Sequence, residues 1–324
     1  MHLKESKTGE TKVDISLLIP AFNEAENIVP LTEEIARFAQ ASPYRIEAVF
    51  VDDGSTDKTQ KAIAACREKY DFVVSRIHAK NRGKTAGLIT AFHASSGKYI
   101  VFLDADLQYM PDCLPDLVGP LEAGYDLVTG WKDGNYEKSG VSLFYNRLCR
   151  MVFRNVHVHD LNAIKAMRRE VFQNLHLRKD WHRYIAVMAA DKGYKIKEVK
   201  VKLYPRMHGD SKFSGKSRIL IGFFDLLSVK FLLSFSKKPL LFFGVAGLGL
   251  ILLGVAVGLG SIAARVLFQA GFRPILYLVM LLITVGFNLF ALGFLAELVL
   301  MVREKVEMLE QKISEIRSDD HDAD

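Results

Sequence analysis

The sequence predicts an α/β domain with a largely parallel sheet, followed by a two-helix transmembrane hairpin. Short β-rich runs alternate with longer helical runs from Val13 to Tyr204. Two uncharged stretches, 240–264 and 275–296, sit in the last third of the chain. The mean hydropathy of the 324 residues is +0.12, yet the first two hundred carry charge at ordinary density, so the apolar excess is local.

In order, strands are expected at 15–20 (ISLLIP), 46–52 (IEAVFVD), 72–77 (FVVSRI), 99–105 (YIVFLDA), 125–130 (YDLVTG) and 196–204 (IKEVKVKLY). Helices are expected at 25–41, 57–70, 83–96, 111–123, 140–154 and 181–192. Sheets of this kind bind ligands at the carboxyl ends of their strands, and the polar residues collect there. The first strand ends in Pro20-Ala21-Phe22-Asn23-Glu24, the second in Asp52-Asp53-Gly54-Ser55-Thr56-Asp57, and the fourth in Asp104-Ala105-Asp106-Leu107-Gln108.

Asp53-Gly54 reads as a turn and Ser55 or Thr56 as a helix cap, which leaves two adjacent carboxylates on an apolar strand end to be accounted for. Asp104-Ala105-Asp106 is the stronger signal. Two carboxylates flanking a small residue after YIVFL offer hard oxygen ligands to Mg2+ or Mn2+ and leave coordination sites for phosphate oxygens. Arg82-Gly83-Lys84-Thr85 ends like a phosphate-binding loop, but the pattern requires glycine at position 78, which is histidine. His157, His159 and Asp160 fit a short polar connection leading to a strand near Ala163.

At 1.5 Å per residue, the 25 residues from 240 to 264 make a helix of about 37 Å, long enough to cross a hydrocarbon core of about 30 Å with some tilt. The 22 residues from 275 to 296 make a second span, closed by Glu297. Basic residues outside the hairpin outnumber Arg265 and Arg273 in its loop, so both ends are expected to face the cytoplasm. Six glycines crowd the first span, the composition of close helix packing, against the second span or a partner subunit. From Lys195 to Lys238 eleven basic residues face three acidic ones, a local excess of eight in a chain whose net charge is +6. Within that stretch, 219–235 carries bulky apolar residues at helical spacing, as in a helix lying in the headgroup layer and drawn to anionic lipid. The final residues, 303–324, read as a cytoplasmic helix to about Ile316 and an acidic disordered tail. The resulting plan is a polar segment at 1–12, a catalytic domain at 13–212, a juxtamembrane amphipathic helix at 213–238, the hairpin at 239–302 and the tail at 303–324. Three cysteines without metal-ligand spacing, and a polar start without an apolar h-region, fit a domain that stays in a reducing compartment.

Taken in order, IPAFNEAENI, VDDGSTD, KNRGKTAGL and DADLQ resemble the catalytic domain of glycosyltransferase family 2. The later segments NAIKAMRREVF, HRYIAVMAADKGYKIKEVKV and PRMHGDSKFS resemble its polyprenyl-phosphate branch, which contains dolichol-phosphate mannosyltransferase and bacterial undecaprenyl-phosphate glucosyl- and aminoarabinosyl-transferases. The resemblance implies a GT-A (Rossmann-like) fold that binds a UDP- or GDP-linked sugar and passes the sugar, with inversion, to a polyprenyl phosphate. By position it makes Pro20, Phe22, Glu24, Val51 and Asp53 the base and ribose pocket, and Asp104, Ala105, Asp106 and Gln108 the holders of Mg2+ or Mn2+ and the diphosphate. Arg206 and Lys212 would close over the phosphates and share the catalytic role with Asp104 and Asp106. Lys132 and Arg147 would take the acceptor phosphate.

A lipid acceptor accounts for the basic juxtamembrane stretch without a nucleic-acid partner, and implies a multi-pass inner-membrane protein, with a homo-oligomer as a further expectation. Two alternatives remain at this point. A processive polysaccharide synthase would need more spans and a Gln-x-x-Arg-Trp motif, which Arg178-Lys179-Asp180-Trp181 does not match. A non-catalytic membrane scaffold would not need the paired carboxylates.

Overall fold

The structure is a computed structural model that describes residues 13–133, 160–161, 163–175, 177–205, 227–231, 239–268 and 274–321. It divides into two compact units, Met1–Leu227 and Ser228–Asp324.

The first unit is built on a seven-stranded sheet of β1 (Ile15–Ala21), β2 (Ile46–Asp52), β3 (Val73–Ile77), β4 (Tyr99–Phe102), β5 (Leu127–Asp133), β6 (Lys165–Arg168) and β7 (Ile196–Lys202), in the order β3-β2-β1-β4-β6-β5-β7. The first four pair in parallel, as do β5 and β7. β6 runs antiparallel to both β4 and β5, so the sheet is mixed rather than uniformly parallel. Both β1 and β2 are buried along almost their whole length, mostly through apolar residues, because helices cover both faces of the sheet. α1 (Ala25–Ala41) shows the matching helical pattern, burying Ile28, Leu31, Thr32 and Ile35 at three- and four-residue spacing.

α2 (Thr59–Lys69), α3 (Lys84–His93) and α4 (Leu114–Glu122) follow, the last led in by a 3-10 turn at Pro111–Cys113. α5 (Arg169–Gln173) and α6 (Ile185–Asp191) complete the unit, with a second 3-10 turn at Trp181–Tyr184 before α6. The helix expected at 140–154 lies outside the described residues, as does most of the expected amphipathic helix; its described part, 227–231, is helical. β4 stops at Phe102, three residues short of the expected end, so Asp104 and Asp106 lie on a loop beyond the sheet.

The second unit holds α7 (Pro239–Phe268) and α8 (Pro274–His321). Each contains a stretch long and apolar enough to cross a membrane, Pro239–Leu267 and Pro274–Val302, with 17% and 6% of the residues in the most apolar window buried. A core helix of a soluble protein would be mostly buried, whereas Leu241, Leu259, Leu281 and Phe287 are all exposed. Gly247 and Gly286 meet where the two helices pack closest, and at the start of α7 the Leu240 N–H donates to Glu297 Oε2 at 3.2 Å. α8 continues past the span to His321, beyond the expected helix end near Ile316, because no glycine or proline interrupts it after Gly293.

Candidate nucleotide-sugar site

The site is assembled from the loops that leave β1, β2, β3 and β4 at their carboxyl ends. Register places Pro20 beside Val51 and Ala21 beside Asp52, so the first two motifs are adjacent by strand pairing alone. Pro20 lies against α3, where a Cβ on Gly87 would come within 2.8 Å of the proline ring; only glycine permits that approach. The loops carrying Asn23 and Ser55 are laced together. The Asn23 N–H donates to Ser55 Oγ at 2.9 Å, the Thr56 N–H donates to Asn23 Oδ1 at 2.8 Å, and the Glu24 N–H donates to Thr59 Oγ1 at 2.8 Å. Asn23 adopts φ 54, in the left-handed region that asparagine tolerates better than most residues. Asp57 receives bonds from Thr59 and from the Ala25 N–H; burial pushes its carboxyl up, but these bonds outweigh burial and hold it below the ordinary range.

Asp52 and Asp53 divide their roles. Asp52 Oδ1 accepts from the Ser55 N–H at 3.0 Å and closes the turn through Gly54. That turn requires glycine twice over, since φ is 72 and a Cβ would strike the Lys80 carbonyl carbon at 2.5 Å. Asp53 is 3% exposed and faces the 78–83 segment. Its Oδ1 accepts from the Arg82 N–H at 2.9 Å and lies 2.6 Å from His78 Nδ1, while its Oδ2 accepts from the Gly83 N–H at 2.8 Å. His78 Nε2 is 2.9 Å from Thr90 Oγ1, which ties the same group to α3.

The next residue reaches the other acidic motif. Lys84 begins α3, and its ammonium contacts Asp104 Oδ1. Three consecutive residues, Arg82, Gly83 and Lys84, therefore bind Asp53 through two backbone N–H groups and Asp104 through a side chain. Sequence pattern does not reveal this relationship, because RGKT matches only the end of a phosphate-binding loop and the role it plays is set by tertiary contacts.

Asp104 is partly exposed and Asp106 largely buried, the latter accepting from the Gln108 N–H at 3.2 Å. Leu107 between them and Gln108 sits at φ 60, which turns the chain back after the acidic pair. The Tyr204 N–H donates to the Gln108 carbonyl at 2.9 Å and the Tyr204 hydroxyl to Asp112 Oδ2 at 2.9 Å, so the segment leaving β7 runs beside this loop. Arg206, two residues on, lies outside the described residues, as do Lys212 and Arg147. Lys132 is on β5 opposite Val201.

A second layer lies behind Lys84. Thr85 Oγ1 is 2.9 Å from His182 Nδ1. Burial first, then the charges of Lys84, Arg183 and Lys165, holds His182 well below the ordinary imidazole value, so it is neutral at pH 7. Lys165 is buried at the start of β6 and donates to the carbonyls of Leu161 and Ala163 at 2.7 and 2.9 Å.

The donor set suits a magnesium- or manganese-type ion. Among the described residues no cluster of three or more His, Cys, Asp or Glu exists. A partly exposed and a largely buried carboxylate on one loop suit an ion that keeps waters and phosphates as its other ligands. The ammonium on Asp104 already shows that this carboxylate attracts positive charge.

Glycosyl transferase family 2 matches residues 16–175. A dodecaprenyl-phosphate galacturonate synthase from Rhizobium johnstonii is 31% identical over 310 residues, covering 89% of this chain and 88% of that protein. An undecaprenyl-phosphate 4-deoxy-4-formamido-L-arabinose transferase from Pseudomonas fluorescens is 28% identical, covering 87% and 84%. Among solved structures, glucosyl-3-phosphoglycerate synthase from Mycobacterium tuberculosis shares the fold. Its complex with uridine diphosphate superposes with a TM-score of 0.54 at 19% identity over 72% of this chain and 86% of that one. Its complex with Mn2+ and UDP-glucose gives 0.53 at 21% identity over 68% and 79%.

Proposed function

The chain belongs to glycosyl transferase family 2, and from that premise we propose that it transfers a hexosyl group from a UDP- or GDP-linked sugar to the phosphate of a membrane polyprenol. The acceptor is dolichyl or undecaprenyl phosphate, and the product is a polyprenyl-phosphate sugar. The observation that carries this reading is the joining of Asp53 and Asp104 by Arg82–Lys84, which ties the loops after β2 and β4 together. The two relatives named above act on polyprenyl phosphates, and the apolar hairpin of this chain supplies the membrane attachment that such an acceptor demands.

The chemistry needs no strong base. A lipid phosphate is already anionic, so one of its oxygens attacks the anomeric carbon as the bond to the diphosphate breaks, and no proton has to move. Direct displacement inverts the anomeric centre. Negative charge passes from the acceptor to the departing diphosphate, so stabilising the leaving group is the main catalytic demand.

Asp104 and Asp106, with Gln108, would hold Mg2+ or Mn2+, which neutralises diphosphate charge when bound. Pro20, Phe22, Glu24, Val51 and Asp53 form the base and ribose pocket, Arg206 and Lys212 close over the phosphates, and Lys132 and Arg147 receive the acceptor. The protein sits in the inner membrane with two spans and both ends cytoplasmic.

The test uses the full chain in nanodiscs containing undecaprenyl phosphate, supplied with Mn2+ and a panel of UDP- and GDP-sugars. Release of nucleoside diphosphate and formation of a lipid-linked sugar are expected for one donor. Asp104→Ala and Asp106→Ala should abolish turnover, and Arg206→Ala should cost about a hundredfold or more while leaving the protein in the membrane. Wild-type turnover in both aspartate variants overturns the metal assignment.

A further inference from the structure

The backbone of Asp53 is fixed by β1, since its N–H donates to the Ala21 carbonyl at 2.8 Å. Its side chain needs more. The last torsion of an aspartate is broad and roughly two-fold, so the residue itself does not set the plane of its carboxylate. Neighbours set it here. The two oxygens offer four lone-pair directions. Oδ1 accepts from the Arg82 N–H and lies 2.6 Å from His78 Nδ1, while Oδ2 accepts from the Gly83 N–H. Among the described residues these are its side-chain partners, and one direction, on Oδ2, is left. A carboxylate only accepts, so His78 Nδ1 carries the hydrogen, and Nε2 pairs with Thr90 Oγ1 at 2.9 Å. His78 follows directly on β3, is buried, and donates its own N–H to the Asp52 carbonyl at 2.8 Å, so the ring is held at both its backbone and its far nitrogen.

We propose that His78 is a positioning residue for the donor nucleotide: it locks the carboxylate of Asp53 so that the remaining lone pair of Oδ2 is presented to the nucleotide, and it anchors that arrangement on α3. The inference rests on the reading of Asp53 as part of the base and ribose pocket. The anchor matters because α3 reaches both acidic motifs. Lys84 at its start contacts Asp104, and Thr90, six residues on, reaches Asp53 through His78. Six residues of helix rise about 9 Å, a spacing that does not flex. One helix therefore fixes the carboxylate assigned to the base end relative to the carboxylate assigned to the diphosphate end. Without the ring, Oδ1 keeps only the Arg82 N–H, the carboxylate turns more freely, and nucleotide binding must re-order it. The loss falls on binding more than on transfer, because His78 bonds Asp53 and Thr90 rather than the Asp104–Gln108 loop.

Calorimetric titration of UDP and GDP into the full chain in nanodiscs with Mn2+ tests this, the tighter nucleotide serving as probe. His78→Phe fills the space of the ring but has no donor, and should raise the dissociation constant about tenfold. In turnover assays its KM for the matching nucleotide sugar should rise by the same factor, with kcat changed less than about twofold. His78→Asn places an amide N–H near the position of Nδ1 and should stay within about threefold of wild type. Thermal unfolding of each variant reports whether it is folded. Wild-type affinity in His78→Phe overturns the proposal. So does an equal loss in folded His78→Phe and His78→Asn, which would make His78 a packing residue, or a fall in kcat with KM unchanged. Asp53→Ala separates this from the reading beneath it. If Asp53→Ala weakens binding and His78→Phe does not, only the positioning role fails; if Asp53→Ala binds like wild type, or wild type binds neither nucleotide, the base-pocket reading fails and the proposal with it.

Discussion

Lys84, at the first position of α3, is ion-paired with Asp104, the first carboxylate of the Asp-Ala-Asp loop. The pair is partly exposed, so its contribution to stability is small; its interest is that an ammonium occupies the carboxylate assigned to a metal. Cation and ammonium compete for the same oxygen. Asp104 would hold Mg2+ or Mn2+ in the proposed site, and the ion would then compete with Lys84 for the same carboxylate, leaving the ammonium at the start of α3 available to an anionic diphosphate. Lys84→Met should therefore lower turnover at saturating metal by about a hundredfold while reducing the Mn2+ concentration needed for half-maximal activity. Steady-state rates across a Mn2+ titration separate the two effects, and a variant unchanged in both would remove Lys84 from the site.

At the opposite end of the sheet, a buried carboxylate holds β2, β1 and the start of β4 together. Glu47 Oε1 accepts from Ser16 Oγ at 2.6 Å, from the Ser96 N–H at 2.5 Å and from the Gly97 N–H at 3.1 Å. A Cβ on Gly97 would press on Ser16 Oγ and come within 2.7 Å of the Ser16 nitrogen. Gly97→Ala should cost about 1–3 kcal/mol through overpacking. The expected result in thermal unfolding is a lower midpoint, with turnover at 25 °C close to wild type because the change is remote from the loops.

The parts of the fold legible in the sequence are those set by local pattern. Apolar runs mark β1, β2 and β4, and the pairing of Pro20 with Val51 follows from adjacent parallel strands. The Asp-Ala-Asp loop is visible because two carboxylates directly after a buried run repel one another unless a cation or a basic group joins them. β6 is harder to read: its four residues are expected only as a strand near Ala163, and its antiparallel direction depends on partners more than sixty residues away at β4. The contacts of Lys84 and Thr85 depend on how α3 sits beside the loop after β4 and on the 3-10 turn at Trp181–Tyr184, positions that no periodicity encodes.

His182 makes the first unit acid-sensitive. Its folded-state value lies well below the ordinary 6.5, so well above pH 6.5 folded and unfolded chains both carry neutral imidazole and the site has its full stability. As pH falls below 6.5 the unfolded chain takes up a proton that the folded site resists, beside Lys84, Arg183 and Lys165, and stability declines towards the folded value. His182→Gln, which keeps a hydrogen-bonding group for Thr85, should flatten this part of the profile. Unfolding midpoints measured from pH 7.5 to 5 for the two proteins provide the comparison; parallel curves would show that His182 does not titrate this way.

Gly247 and Gly286 set the closest approach in the hairpin. A Cβ on Gly247 would lie 2.5 Å from the Gly286 carbonyl oxygen, and one on Gly286 would lie 2.6 Å from the Gly247 carbonyl oxygen. Each neighbour is backbone and cannot rotate away, so a side chain at either position must separate the helices. Lipid is as apolar as the helix faces, and the association therefore depends on this close packing rather than on a hydrophobic drive. Gly286→Leu should loosen the pair and weaken the Leu240–Glu297 bond at its end, whereas Gly249→Leu, with open space around it, should not. Disulfide trapping between cysteines placed on the facing sides of α7 and α8 reports the difference: trapping should be lost in the first variant and kept in the second, and equal trapping in both would show that glycine is not required at the crossing.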